Sequence, residues 1–227
     1  MTWHPDMPLA YRDNIVAGDS RILAEAMPDE SVDLIFTDPP YPREFLPLYG
    51  WLSETAARVL RPGGYCFAYG ACEHLPETLR QMETGRLAYF WTDALMHHGS
   101  VPRMWHKHPM SGYKPVLVFT KGSPARAPWR STLHVGSMDK RFHEWGQGSG
   151  YALKTIDMLT QLAEVVWDPF CGGGTTLAVC KFLGRSFVGF EIEPGVAERA
   201  RARVGAISRQ YQVETRESGD EAYLFDV

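Results

Sequence analysis

A doubly wound α/β domain is the fold this sequence predicts, and three observations carry the prediction. Seven short runs rich in Val, Ile, Phe and Tyr recur along the chain, at 14–19, 32–38, 65–70, 87–95, 115–122, 164–170 and 186–192. Stretches with helical character separate most of them, at 45–60, 73–83, 150–163, 174–183 and 194–207. Several of the runs are apolar almost without interruption, as strands buried on both faces of a sheet must be. Strand alternating with helix gives a mostly parallel, seven-stranded sheet covered on both sides. The 227 residues, 44% of them hydrophobic, suffice for a single domain over 1–227.

Taken in order, the first run, "NIVAGD", ends in Gly18-Asp19. The second, "VDLIFTD", meets Pro39 and Pro40, neither of which has an N–H for a strand ladder. The strand must stop there, and Asp38 and Tyr41 are held at its lip on a stiff Pro-Pro turn. In the helix that follows, Leu48, Leu52, Ala56 and Val59 recur at helical spacing, and "RPGG" closes it. The 73–83 helix ends near Gly85, and "LAYFWTDAL" and "PVLVFTKG" are the next two strands. The stretch 122–150 is rich in Gly, Pro and Ser without periodicity and reads as a long surface loop. "EVVWDPF" then passes through "CGGGTT" into a helix closed by Gly184, "SFVGFEI" follows, and after the last helix the segment 208–227 is a polar, loosely held tail.

Composition narrows the classes. No run is long enough to span a bilayer, and no basic-then-apolar leader opens the sequence. Cys66, Cys72, Cys171 and Cys180 form no C-x-x-C pair and lie in or beside apolar segments, which predicts reduced thiols in a cytoplasmic protein. The net charge is −4, but it is unevenly placed. Between Val101 and Trp145, eight Lys/Arg face only Asp139 and Glu144, a local +6 inside a remainder of −10. Such a segment suits a polyanion-binding face, and equally a solvated basic loop. The histidines His97, His98, His106 and His108 raise a metal site, but no Cys accompanies them and their spacing is irregular. A nucleic-acid-facing loop of His, Arg, Lys and Trp is the favoured reading, and no metal is assigned.

In open α/β sheets, ligands sit beyond the carboxyl ends of the strands. The turn "DPFCGGGTT" lets a ligand approach its backbone, and the helix opening at Thr175-Thr176 adds unpaired N–H groups. No Lys follows the glycines, so this is not a triphosphate loop; position 177 is Leu rather than a third fingerprint glycine, so it is not a dinucleotide site. A nucleoside without phosphate remains, beside the reading of a plain turn. Glu191 ends the next strand seventeen positions after Gly174, where an acid can accept hydrogen bonds from two ribose hydroxyls.

"DPPY", "DPFCGGGTT" and the strand-ending Glu191 together resemble the S-adenosylmethionine-dependent DNA amino-methyltransferases, and the order "DPPY" before the glycine motif resembles their β class. The resemblance spans roughly 14–205 and implies a circularly permuted, Rossmann-like methyltransferase fold. It assigns S-adenosyl-L-methionine to Asp19, Asp168, Phe170, Cys171, Gly172, Gly173, Gly174, Thr175, Thr176, Glu191 and Ile192, with Asp19 at the adenine and Glu191 at the ribose. Catalysis falls to Asp38, Pro39, Pro40 and Tyr41. The family's Lys-Pro segment is replaced by "HEWGQGSGYALK", which leaves Gln147 and Ser149 as candidates for the cofactor carboxylate. The region 96–150 is expected to be an inserted DNA-facing, target-recognition region, with Arg103, Lys107, Arg126, Arg130, Lys140 and Arg141 on DNA. Its small size implies short or relaxed recognition.

The chemistry explains the turn. An exocyclic amine is a poor nucleophile because its lone pair is delocalised into the ring. The Asp38 carboxylate and the Pro39 carbonyl can accept its two N–H bonds, which aims the lone pair at a sulfonium methyl. Tyr41 can stack on a base that is flipped out or single-stranded. D-P-P-Y favours adenine N6, with cytosine N4 the alternative. A catalytically silent DNA-binding relative, and methylation of RNA or a protein glutamine, are the rival readings. The resemblance admits a homodimer and a restriction-modification setting.

Overall fold

The structure is a computed structural model, and it describes residues 3–97, 112–124, 134–136 and 149–207. Eight strands form one sheet: β1 (Asn14–Ala17), β2 (Val32–Thr37), β3 (Leu60–Tyr69), β4 (Ala88–His97), β5 (Tyr113–Thr120), β6 (His134–Gly136), β7 (Val165–Asp168) and β8 (Ser186–Glu191). Their order is β1-β8-β7-β2-β3-β5-β4-β6. All seven expected strands are present. The neighbours from β1 through to β3 pair in parallel, and β5 runs antiparallel to both β3 and β4. The eighth strand, β6, adds three residues in parallel to the end of β4. It lies within the stretch expected to be loop.

Among the described residues six α-helices accompany the strands: α1 (Ser20–Leu23), α2 (Pro47–Val59), α3 (Leu75–Met82), α4 (Ser149–Leu159), α5 (Thr175–Phe182) and, after β8, α6 (Pro194–Gly205). Alternate strand residues feed two cores. Leu34, Phe36, Phe67, Val118 and Val166 meet Ile156, Leu177 and Ala200 on one face. Ile35, Cys66, Phe119, Trp167 and Phe190 meet Leu52, Ala56 and Met82 on the other. Burial on both faces is the physical reason these strands read as unbroken apolar runs. The four cysteines are free, and among the described residues no helix is long and apolar enough to cross a membrane.

One boundary differs from expectation. "RPGG" does not close α2; β3 begins at Leu60, and the motif lies inside it as an irregularity, the pairing slipping from Val32↔Leu60 to Leu34↔Tyr65. Gly63 has φ +83°, and a Cβ on Gly64 would lie 2.9 Å from the Asp33 carbonyl oxygen. Two glycines thus let the chain bulge and resume its ladder. The Arg61–Asp33 ion pair, 2.5 Å, pins the bulge to β2.

The sheet's switch point lies between β7 and β2. From β2 the chain proceeds outward to β3, and from β7 it proceeds to β8 in the opposite direction. In doubly wound sheets the crevice at such a point takes the ligand.

Candidate active site

Two Asp-Pro steps end the two strands that meet at the switch point. Thr37, the last residue of β2, donates from Oγ1 to Asp168 Oδ1 at 2.7 Å, and the Phe170 N–H donates to the same oxygen at 3.2 Å. Asp168 is 3% exposed, and burial pushes its carboxyl up to about 7 despite the hydrogen bonds from Thr37, Thr176 and Phe170. Asp168 and Thr176 are therefore engaged with each other inside the protein. They fasten the glycine turn to β2, rather than facing the crevice as the sequence-based assignment to the cofactor implied.

The turn itself is shaped by two glycines in the left-handed region. Gly174 (φ +75°) caps α5, and a Cβ there would come within 3.2 Å of Ala200 Cβ. Gly172 (φ +48°) has open space where a Cβ would go. The first needs glycine for packing. The second leaves its backbone bare toward the crevice. Cys171 is buried, its N–H on the Phe190 carbonyl at 2.9 Å, and burial raises its thiol well above the ordinary range. It is a packing residue of the turn, with no thiolate to offer.

Glu191 ends β8 beside this turn. Its Oε2 accepts from Gly172 N–H at 3.0 Å and its Oε1 from Glu193 N–H at 2.9 Å. These bonds fix the carboxylate's direction and leave lone pairs on each oxygen. Ile192 follows it, an apolar side chain 63% exposed. Phe170 packs edge-on against Trp51, ring centroids 5.8 Å apart. Asp19 caps α1 through Arg21 N–H at 2.9 Å, and the Arg21 guanidinium, 2.6 Å away, holds its carboxyl below the usual range. Ser20 Oγ donates to the Pro169 carbonyl, joining the end of β1 to the β7 turn. The residues assigned to the cofactor thus come together from three strand ends, β1, β7 and β8.

Asp38 stands at the lip of β2, with 28% of its side chain exposed. Pro39 is buried, which anchors the turn, while Pro40 and Tyr41 are half-buried. Tyr41 packs against the core and donates its hydroxyl to Asp38 Oδ1. A residue that the sequence places only among the eight cations of the basic segment completes the group: Lys114, the second residue of β5, lies 2.9 Å from Tyr41 Oη and 3.7 Å from Asp38 Oδ2. Its only sequence signal is a charge where an apolar strand begins.

Arg103, Lys107, Arg126, Arg130, Lys140 and Arg141 lie outside the described residues, as do Gln147, His98, His106 and His108. Of the region 96–150, residues 96–97, 112–124 with β5, 134–136 and 149–150 are described, and the tail 208–227 lies outside. Ser149 is the first residue of α4 and is exposed.

The switch point of this doubly wound sheet thus carries a glycine turn, a strand-ending acid and a Pro-Pro-held carboxylate. Residues 143–202 match the N6/N4 methyltransferase family model, described as DNA methylase. The chain is 28% identical over 82% of its length to the type II methyltransferase M.BamHI of Bacillus amyloliquefaciens, and it spans 56% of that protein. Among solved structures, the M1.HpyAVI–SAM complex aligns with a TM-score of 0.68 at 24% identity, covering 84% of this chain and 98% of that one. PvuII DNA methyltransferase, cytosine-N4-specific, aligns with a TM-score of 0.74 at 16% identity over 87% of each chain.

Proposed function

We propose that this protein transfers the methyl group of S-adenosyl-L-methionine to the exocyclic amine of a DNA base, adenine N6 in the first instance. The observation that carries the proposal is Asp38: a partly exposed carboxylate on a Pro-Pro turn, one strand from the Gly172–Glu191 crevice. The crevice fits a nucleoside. Gly172 leaves room for close backbone approach, the Glu191 carboxylate is aimed by two N–H bonds, and the exposed Ile192 offers an apolar surface to a planar ring. Asp19 stands at the end of β1 for the adenine edge. The bound cofactor supplies an electrophilic methyl on a sulfonium.

The chain's own part is positioning. Asp38 and the Pro39 carbonyl accept the two N–H bonds of the amine and turn its lone pair out of conjugation. Pro40 stiffens the turn, and Tyr41 stacks on the base. A duplex base cannot reach these groups without leaving the stack. The similarity to M.BamHI and the presence of SAM in the M1.HpyAVI complex support this reading. Asp38 favours adenine because D-P-P-Y is the commoner adenine form of the motif. Cytosine N4 presents the same amine chemistry.

The deciding experiment incubates the protein with unmethylated DNA and labelled cofactor, then identifies the modified nucleoside. N6-methyl-2′-deoxyadenosine is the expected product, N4-methyl-2′-deoxycytidine moves the assignment to cytosine, and no label in DNA overturns the function. Neutralising Arg126, Arg130, Lys140 and Arg141 together tests the basic segment. DNA affinity should weaken on every sequence, with a flatter salt dependence and cofactor binding spared.

A further inference from the structure

Lys114 has no part in the scheme above, yet it touches both of its key side chains. The antiparallel course of β5 brings the start of that strand, and not its end, to the rim where β2 releases Asp38. The Lys114 ammonium is 2.9 Å from Tyr41 Oη, 3.7 Å from Asp38 Oδ2 and 4.6 Å from the centroid of the Tyr41 ring. Its side chain is only 20% exposed.

The proton order in this group is fixed by chemistry. An ammonium has donors only, an ionised carboxylate acceptors only, and the phenol one donor with two lone pairs. Lys114 therefore donates to Tyr41 and Tyr41 to Asp38. Burial, and then the Asp38 charge, raise the Tyr41 hydroxyl well above its ordinary range, so it stays protonated and remains a donor. Exposed ion pairs contribute little, because water screens them and side-chain entropy opposes them. This one is sheltered, and it holds three groups at once. The ammonium also lies 4.6 Å from the centroid of the Tyr41 ring, within reach of the attraction between a cation and the ring quadrupole.

We infer that Lys114 is a positioning residue: it clamps the Tyr41 ring and hydroxyl, and through them sets the Asp38 carboxylate for the incoming amine. The inference rests on the methyl-transfer reading. With Lys114 holding the hydroxyl end of Tyr41, the Tyr41 hydroxyl yields Asp38 Oδ1 to the amine while Lys114 keeps the ring in place for the target base. Pre-setting the acceptor and the stacking surface lowers the ordering left to be done when the base arrives, which is an effect on the chemical step.

The test compares Lys114→Met, of similar length but without donors, with Lys114→Arg, in single-turnover methyl transfer to DNA. Lys114→Met should lower the transfer rate about tenfold or more, with DNA KM and cofactor affinity within about twofold and Tm unchanged. Lys114→Arg should recover most of the rate. Combining Lys114→Met with Tyr41→Phe should cost little more than the worse single change, because the two act through one contact. An unaltered rate in Lys114→Met, a loss confined to KM or Tm, failure of Lys114→Arg to recover the rate, or full additivity with Tyr41→Phe overturns the inference while leaving methyl transfer standing. A wild-type protein that methylates no DNA overturns both.

Discussion

Asp38 and Asp168 occupy the same local sequence and opposite worlds. Each ends a strand of the sheet's centre, each is followed by proline, and the two strands are neighbours. Asp38 reaches the surface and meets a cation and a phenol. Asp168 is sealed in, meets two hydroxyls and a backbone N–H, and has its carboxyl raised to about 7. The difference lies in the residues that follow. After Asp38, two prolines carry the chain away from the sheet. After Asp168, the glycines fold it back into α5, whose Thr176 hydroxyl closes over the carboxylate. An Asp-Pro step therefore makes a strand stop, and what comes next decides whether its acid reaches the surface or holds the framework.

The comparison breaks most sharply at Asp38. Asp38→Ala should cut methyl transfer by at least about 100-fold, since it removes a preorganised acceptor at the reacting nitrogen. Cofactor affinity measured by calorimetry should hardly change. Asp38→Asn should do nearly as much damage, because its amide sets a donor against the amine. Near-normal transfer by Asp38→Ala would falsify the mechanism.

Glu191→Ala belongs to the cofactor side of the crevice. It should weaken S-adenosylmethionine binding by about 1–3 kcal/mol, as charge-assisted bonds to ribose hydroxyls are lost. Calorimetry on the folded variant reads this directly, and an unchanged affinity removes Glu191 from the ribose.

Asp168→Asn sharpens the contrast from the structural side. A carboxyl whose folded value is raised stays protonated in the native state after the unfolded chain has released its proton. Its stabilising contribution is complete below about 4 and is lost as pH rises to about 7. Asparagine imitates the protonated acid at every pH. The variant should match the wild type in thermal unfolding near pH 4 and exceed it near pH 7. A wild-type advantage at pH 7 would show that the charged form is the one the fold favours.

Gly174→Ala is the smallest of the four. A φ of +75° and the 3.2 Å approach to Ala200 should cost about 1 kcal/mol or somewhat more in denaturant unfolding. Gly172→Ala, with open space above it, should lose less stability than cofactor affinity.

The sequence disclosed the central sheet because the strands are buried on both faces and leave long apolar runs. It disclosed the Asp38 and Gly172–Glu191 ends because proline and glycine enforce their turns locally. Three things were not legible. The strand β6 is three residues long and owes its form to pairing with β4 rather than to its own pattern. "RPGG" has the composition of a helix stop, and only its register against β2 shows it to be a bulge inside β3. Lys114 lies 73 residues from Tyr41, and their meeting depends on the strand order β2-β3-β5 and on the reversal of β5. The split between Asp38 and Asp168 was partly hidden for the same reason: their partners, Lys114 and Thr37, come from other strands.

The reversal of β5 has a consequence for where the chain between β4 and β5 is anchored. In a wholly parallel sheet, the chain leaving β4 at the substrate rim would have to travel to the far side before entering the next strand. Here it leaves at His97 and re-enters at Tyr113, both on the rim that bears Asp38. The stretch between those residues is tethered at both ends to that rim, and its carboxyl-terminal tether is one peptide bond from Lys114. Whatever binds that stretch would be joined to the Asp38 rim by backbone rather than by a relay of side chains.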